Sequence, residues 1–302
     1  MNDPRSQGSA SASVVSGLVV VDKPAGPTSQ RVAGRIRKLA GTRRVGHAGT
    51  LDPMATGVLI IGVGRATRLL GHLTLTDKSY EATIRLGATT VTDDHEGDVL
   101  ATVDAFDVTE ARVREAMAEV TGPIDQVPSR VSAIKVDGER AHRLVRRGEQ
   151  PDLPARAVTV YELTLVELTR DRGFLDVRVR ATVSSGTYIR ALARDIGDRL
   201  GVGGHLTALR RTQVGPYDLS LARTLDELEE NFVVLPLGQA AAGVFPRLDV
   251  DAGTATRVGH GARLPATGVA DGPVAVYGPD DELLALVQDD GTRARYLAVF
   301  VG

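Results

Sequence analysis

The sequence predicts an α+β fold with a small β-rich unit at its C-terminal end. Three observations carry that prediction. Apolar residues alternate with period two at Tyr80 to Leu86 and Leu175 to Ala181, and Ile189, Leu192, Ala193, Ile196 and Leu200 form a helical stripe. Beyond Pro246 the chain changes to short apolar runs parted by GPDD and DDGT turns. At 302 residues, 42% hydrophobic and 25% charged, the composition is that of a globular protein of about two domains.

Residues 1–16 lack the basic start and apolar run of a signal peptide and read as a flexible tail. Gly17 to Asp22 is a short strand broken by the PAGP of residues 24–27, and Ser29 is the expected N-cap of a helix carrying Val32, Ile36 and Leu39, stopped at Gly41. The stretch 46–59, GHAGTLDPMATGVL, crowds glycines, threonines and a proline around Asp52 and runs into the strand Val58 to Val63. It reads as a tight loop leaning on a buried strand. Tyr80, Ala82, Ile84 and Leu86 then share the inward face of a half-buried strand. DDHEGD, 93–98, lacks the spacing of a calcium loop and reads as a solvated turn.

Thr109 opens a helix with Val113, Ala116, Met117 and Val120 on one stripe, closed by Gly122-Pro123. Gln126 to Leu153 is polar, basic and weakly periodic, the pattern of a flap. Strands resume at Val158 to Leu168 and Phe174 to Val183, and the latter runs through Ser184-Ser185-Gly186 into the helix that ends at Gly201. Arg190 lies in that helix's first turn, off its apolar stripe, where a guanidinium can reach a cleft. Thr224 and Glu227 make a capping box. Val274 to Tyr277, Leu283 to Val287 and Tyr296 to Val301 are the expected C-terminal strands.

With no cysteine, the chain has no disulfide, thiolate metal site or cysteine nucleophile, and an intracellular compartment fits best. No apolar run approaches a membrane span. The histidines at 47, 72, 95, 142, 205 and 260 lack metal-ligand spacing, so no metal is expected. No P-loop is present, and the glycines at 62 and 64 lack the third glycine of a dinucleotide loop. A net charge of −2 hides three basic clusters: six basic residues within 31–44, then Arg140, Arg143, Arg146 and Arg147, then Arg190, Arg194, Arg199, Arg210 and Arg211. They are solvated surface charge or a phosphate-binding face. Asp52 on its loop is equally readable as an active carboxylate or as a turn residue capping backbone amides.

Longer motifs add to this reading. LVVVDKPAGPTS, VGHAGTLDPMATGVLIIGVGRATRL, KSYEATIRLG, PSRVSAIKVDGERAH, SSGTYIRALARDIGDRLG and HLTALRRTQVGPY follow one another between Gly17 and Tyr217. In that order they closely resemble the bacterial tRNA pseudouridine-55 synthases, the TruB family. Gln30-Arg31-Val32 departs from the family, which often has a His-Asp or related pair before the valine.

The resemblance implies a pseudouridine-synthase fold, with a mixed, mainly antiparallel sheet flanked by helices in residues 17–243, the flap at about 126–153, and a PUA-like RNA-binding domain in 244–302. It implies isomerisation of uridine 55 in the T-loop of tRNA, with no cofactor and with the T-arm stem-loop as partner. A cytoplasmic monomer is expected. By the same resemblance Asp52 is the catalytic carboxylate, Tyr80 stacks on the base and Arg190 pairs with Asp52. His47 packs where the target nucleotide is displaced, Leu209 lines the pocket, and Lys78 and Thr50 join the substrate-binding set. Two other readings stand beside it. A non-catalytic RNA-binding or RNA-folding protein needs no Asp52–Tyr80–Arg190 set, and an unrelated carboxylate enzyme needs a second carboxylate or a metal.

Overall fold

The computed structural model describes residues 15–130, 135–136, 139–140, 147, 153–269 and 272–301. In chain order the first elements are β1 (Gly17–Lys23), α1 (Ser29–Leu39), β2 (Val45–Ala48), β3 (Thr56–Val63), α2 (Leu70–Leu73), β4 (Lys78–Leu86), β5 (Ala88–Thr90), β6 (Val99–Thr102), α3 (Glu110–Ala118) and β7 (Gly122–Gln126). Next come β8 (Lys135–Val136), β9 (Glu139–Arg140), β10 (Arg156–Asp171), β11 (Phe174–Val183), α4 (Ile189–Leu200), β12 (Gly204–Val214), β13 (Tyr217–Asp218), α5 (Leu225–Glu230), β14 (Leu235–Pro236) and α6 (Leu237–Ala242). The last are β15 (Arg247–Asp249), α7 (Ala252–Gly259), β16 (Leu264–Pro265), β17 (Val274–Tyr277), β18 (Leu283–Asp289) and β19 (Arg293–Val299).

The main sheet runs β14-β1-β3-β12-β4-β11-β10-β7, with β2 on β3 and β13 on β12. Its pairings are antiparallel except for the parallel contact of β12 with β3, so the sheet is mixed and mainly antiparallel. The apolar runs of β1 and β3 feed two cores at once, because successive residues of a strand point to opposite faces. Val19, Val21, Leu59, Ile61 and Val63 pack on one side with α1, α3, α4 and α5. Leu18, Val20, Val58 and Ile60 pack on the other with Ala240, Ala241, Tyr277, Leu286 and Phe300. β4 behaves as its alternation predicts: Tyr80, Ala82, Ile84 and Leu86 are buried, and Glu81 is exposed.

A second sheet, β15-β17-β18-β19-β16, forms the C-terminal β-rich part. Tyr277 Oη donates to Gly238 O at 2.7 Å, and Tyr217 Oη donates to Ala240 O, so α6 is held by a tyrosine from each sheet.

Several helix ends match the sequence. Thr109 caps α3, Thr224 and Glu227 form their reciprocal box on α5, and Gly201 ends α4 at φ 75°, in the left-handed region. The cap of α1 is Thr28, whose side chain accepts from Arg31 N. Ser29, expected in that role, lies inside the first turn and bonds the Asp52 loop instead. Gln126 is frame and not flap: it is the last residue of β7, 2% exposed, and its side chain bonds both Tyr188 N and Tyr188 O at the start of α4. Within the expected flap, β8 pairs with β9 and Arg147 pairs with Glu139, while Arg143 and Arg146 lie outside the described residues.

Candidate active site

Residues 45–48 form a strand and not part of a loop, so the Asp52 segment is the connection of a hairpin in which His47 opposes Ile61. Buried donors and acceptors fix this connection from beneath. Ser29 Oγ accepts from Leu51 N and donates to Leu51 O, both at 2.9 Å. Lys23, fully buried, donates from Nζ to the carbonyls of Pro24 (3.0 Å), Pro53 (3.1 Å) and Ala55 (2.6 Å). Burial brings the Lys23 ammonium down to about 8, against the opposing pull of Asp52. The loop's polar backbone is thus tied inward while the Asp52 side chain keeps 36% exposure. Ser29→Ala strands a buried N–H and a buried C=O, and is expected to lower stability by about 1–3 kcal/mol in denaturant titration. An unchanged midpoint would mean that the loop is held without Ser29.

Arg190 reaches this carboxylate from the first turn of α4. Its Nε lies 3.0 Å from Asp52 Oδ2, its Nη1 donates to Thr92 O at 2.7 Å, and Nη1 lies 3.5 Å from Asp94 Oδ2. The side chains of Arg190 and Asp94 are 5% and 4% exposed. A guanidinium held at several points cannot swing away from the carboxylate it serves.

Desolvation pushes the Asp52 carboxyl above its ordinary 3.8; Arg190 opposes this, and the Asp94 charge adds to it. Any chemistry that uses the ionised Asp52 carboxylate should therefore show the acid limb of its pH–rate profile above the ordinary aspartate range. Asp94→Asn removes a like charge and should move that limb to lower pH. A limb that stays put or moves up in Asp94→Asn would contradict this electrostatic picture.

Tyr80 (8% exposed) and Leu209 (8% exposed) belong to the same apolar cluster as Leu51 and Met54. On β12 Leu209 opposes Ala82 and Arg211 opposes Tyr80, which sets Leu209 diagonal to Tyr80. His47 is half-buried, its Nδ1 has no hydrogen-bond partner among the described residues, and burial, then Arg211 and Arg37, lower its pKa. Thr50 stands exposed on the connection. Lys78 is buried, and its Nζ donates to Thr74 O (3.0 Å) and Thr76 O (2.6 Å), so the structure turns it inward. Burial lowers the Lys78 ammonium to about 8.

Residues 37–189 match the model of the TruB family pseudouridylate synthase N-terminal domain. Residues 190–237 match the tRNA pseudouridylate synthase B C-terminal domain, and 245–301 match the C-terminal model of tRNA pseudouridine synthase II. A curated relative named tRNA pseudouridine synthase B, from Thermobifida fusca (strain YX), is 56% identical over 95% of this chain and 99% of its own. The chain belongs to the TruB family. A relative of the same name from Streptomyces coelicolor (strain ATCC BAA-471 / A3(2) / M145) is 54% identical over 94% of this chain and 97% of its own.

Among solved structures, a chain in an H/ACA RNP bound to a substrate RNA containing 2'-deoxyuridine aligns with TM-score 0.71 and 27% identity, over 95% of this chain and 85% of that one. A chain in an archaeal box H/ACA sRNP Nop10-Cbf5 complex aligns with TM-score 0.69 and 28% identity, over 94% of this chain and 86% of that one.

In this TruB-family chain the acidic loop 93–98 is a solvated turn at His95, Glu96 and Asp98, as expected, but not at Asp94. Asp94 is 3% exposed, accepts from Thr92 Oγ1 at 2.5 Å and from Glu96 N at 3.0 Å, and faces Arg190. Sequence reasoning missed this second carboxylate, because nothing in local periodicity links it to a helix almost a hundred residues later. The third basic cluster is engaged within the protein, although Arg199 remains exposed. Arg194 pairs with Asp93 and Asp195, Arg199 with Glu119, and Arg210 with Asp22, while Arg211 donates to backbone carbonyls. On the first cluster, Arg35 is held by Glu229, and no ion pair among the described residues engages the exposed Arg31, Lys38, Arg43 or Arg44.

Proposed function

We propose that this TruB-family protein converts uridine 55 in the T-loop of tRNA to pseudouridine, with Asp52 as the carboxylate that acts on a flipped-out nucleotide. The observation that carries the reading is the Asp52–Arg190 pair, a half-exposed carboxylate fixed by a buried guanidinium. In the reaction the bond between uracil N1 and ribose C1′ breaks, the base turns, C5 bonds to C1′, and the C5 proton leaves as N1 gains one. Asp52 serves either by attacking C1′ or by assisting proton loss at C2′ to give an unsaturated sugar. Arg190 keeps the carboxylate ionised against the desolvation that favours its protonation.

Tyr80 provides the platform that holds the detached uracil and takes part in the late loss of the C5 proton; Leu209 lines the wall beneath the base. Flipping the nucleotide costs a few kcal/mol, which His47, filling the vacated stack, and phosphate contacts offset. Thr50 lies where RNA approaches the site. Lys78 acts through the frame it supports. The exposed Arg31, Lys38, Arg43 and Arg44 suit contacts with the T-arm phosphates.

In this reading residues 17–243 are the catalytic domain, a flap that begins beyond Gln126 clamps the T-arm, and 244–302 form a PUA-like RNA-binding domain. The protein works as a cytoplasmic monomer; no helix of the described residues is long and apolar enough to cross a membrane. The test is release of tritium from unmodified tRNA transcript carrying C5-tritiated uridine. About one tritium per tRNA is expected, and no release from correctly folded transcript would overturn the reading.

A further inference from the structure

Arg211 is the largest of the fully buried side chains among the described residues, 1% exposed on the central strand β12. Among the described residues no carboxylate pairs with it. Its Nε donates to Val58 O at 2.7 Å and its Nη2 to Gly49 O at 2.8 Å. Those two carbonyls bracket the segment 50–57 that holds Asp52.

The backbone of Arg211 is bound to both sides of the site. It opposes Tyr80 on β4 and Gly57 on β3. At Gly57 (φ 96°) an added Cβ would lie 2.1 Å from Arg211 O, so only glycine permits this approach. One residue therefore meets the platform strand, the loop's start and the loop's end.

A buried guanidinium is costly, and a well-packed apolar side chain of like volume is often no worse for stability. Here the cost is compounded by a neighbouring cation, Lys78: its Cε and Arg211 Nη1 both crowd Gly49, at 3.4 and 3.3 Å from a Cβ built there. What the guanidinium supplies and an apolar residue cannot is a rigid fork that fixes where Gly49 O and Val58 O stand. Lysine offers one point of attachment in place of the planar fork.

We infer that Arg211 is a positioning residue for the reaction, setting the Asp52 carboxylate against Arg190 and the Tyr80 platform by fixing both ends of the Asp52 loop. The inference rests on the functional reading above. The test uses single-turnover pseudouridine formation on unmodified tRNA, tRNA affinity by filter binding, and thermal unfolding. Arg211→Lys should unfold within the range of wild type and bind tRNA within about twofold, but react about 10- to 100-fold more slowly, the scale of misplacing a reacting group by about 1 Å.

Arg211→Ala should be slower still and should regain part of its rate when guanidinium ion is added at sub-denaturing concentration. If Arg211→Ala does not fold, Arg211→Lys alone decides. A wild-type rate in Arg211→Lys, or a loss no larger than its loss of folded protein, overturns the positioning role. An inactive wild type overturns the functional reading instead.

Discussion

Asp52→Asn is expected to abolish pseudouridine formation, with a loss on the order of a millionfold, the scale on which removing a nucleophile acts. The amide keeps the shape of the side chain and cannot supply the negative charge. Stability should not fall with it. The Asp52 carboxyl is raised above its ordinary value in the folded protein, so whatever stability it contributes is present below its unfolded pKa and is lost as pH rises through the raised value. At neutral pH an ionised Asp52 is therefore a burden on the fold. Its removal leaves Arg190 with Thr92 O and Asp94 still in place. A thermal midpoint at or above that of wild type, together with unchanged tRNA affinity, is the expected pattern. A midpoint that collapses along with the rate would reduce Asp52 to a structural turn residue.

Arg190→Lys has the second-largest expected effect. Arg190 meets Asp52 through Nε and meets Thr92 O and Asp94 through Nη1, two different nitrogens of one plane. A single ammonium cannot occupy both places, and its burial favours loss of its proton. The single-turnover rate should fall by about a hundredfold or more, as for a reacting group displaced by about 1 Å. Because Arg190 is only 5% exposed, tRNA affinity should be nearly unchanged. Equal losses of rate and affinity would make Arg190 an RNA contact.

Where one residue type meets one environment, the fold was legible. β4 declares its inward face by alternation, and Thr224 with Glu227 declares a helix start, because both rules act within a few residues. β12 was not legible, since Arg210 and Arg211 interrupt its apolar pattern. Their solvation is replaced by Asp22 and by the carbonyls of Val58 and Gly49, partners that no local rule connects.

The same reason separates the parts of the site. Asp52 stood out because its loop gathers so many turn residues, and Arg190 because it lies in a helix's first turn, off the apolar stripe and beside a strand end. Asp94 and Ser29 were hidden because each is defined by a contact made across the fold. Ser29 shows how close the rules can come, since the cap lies one residue earlier and frees its hydroxyl for Leu51.

The most direct test of the central claim, that this site rearranges one uridine of the T-loop, is nucleotide-resolution mapping of pseudouridine in unmodified tRNA treated with the purified wild-type protein. One new pseudouridine, at position 55, and none in a transcript carrying cytidine there, is the predicted result. Pseudouridine at other positions, or none in a transcript the protein binds, would contradict it.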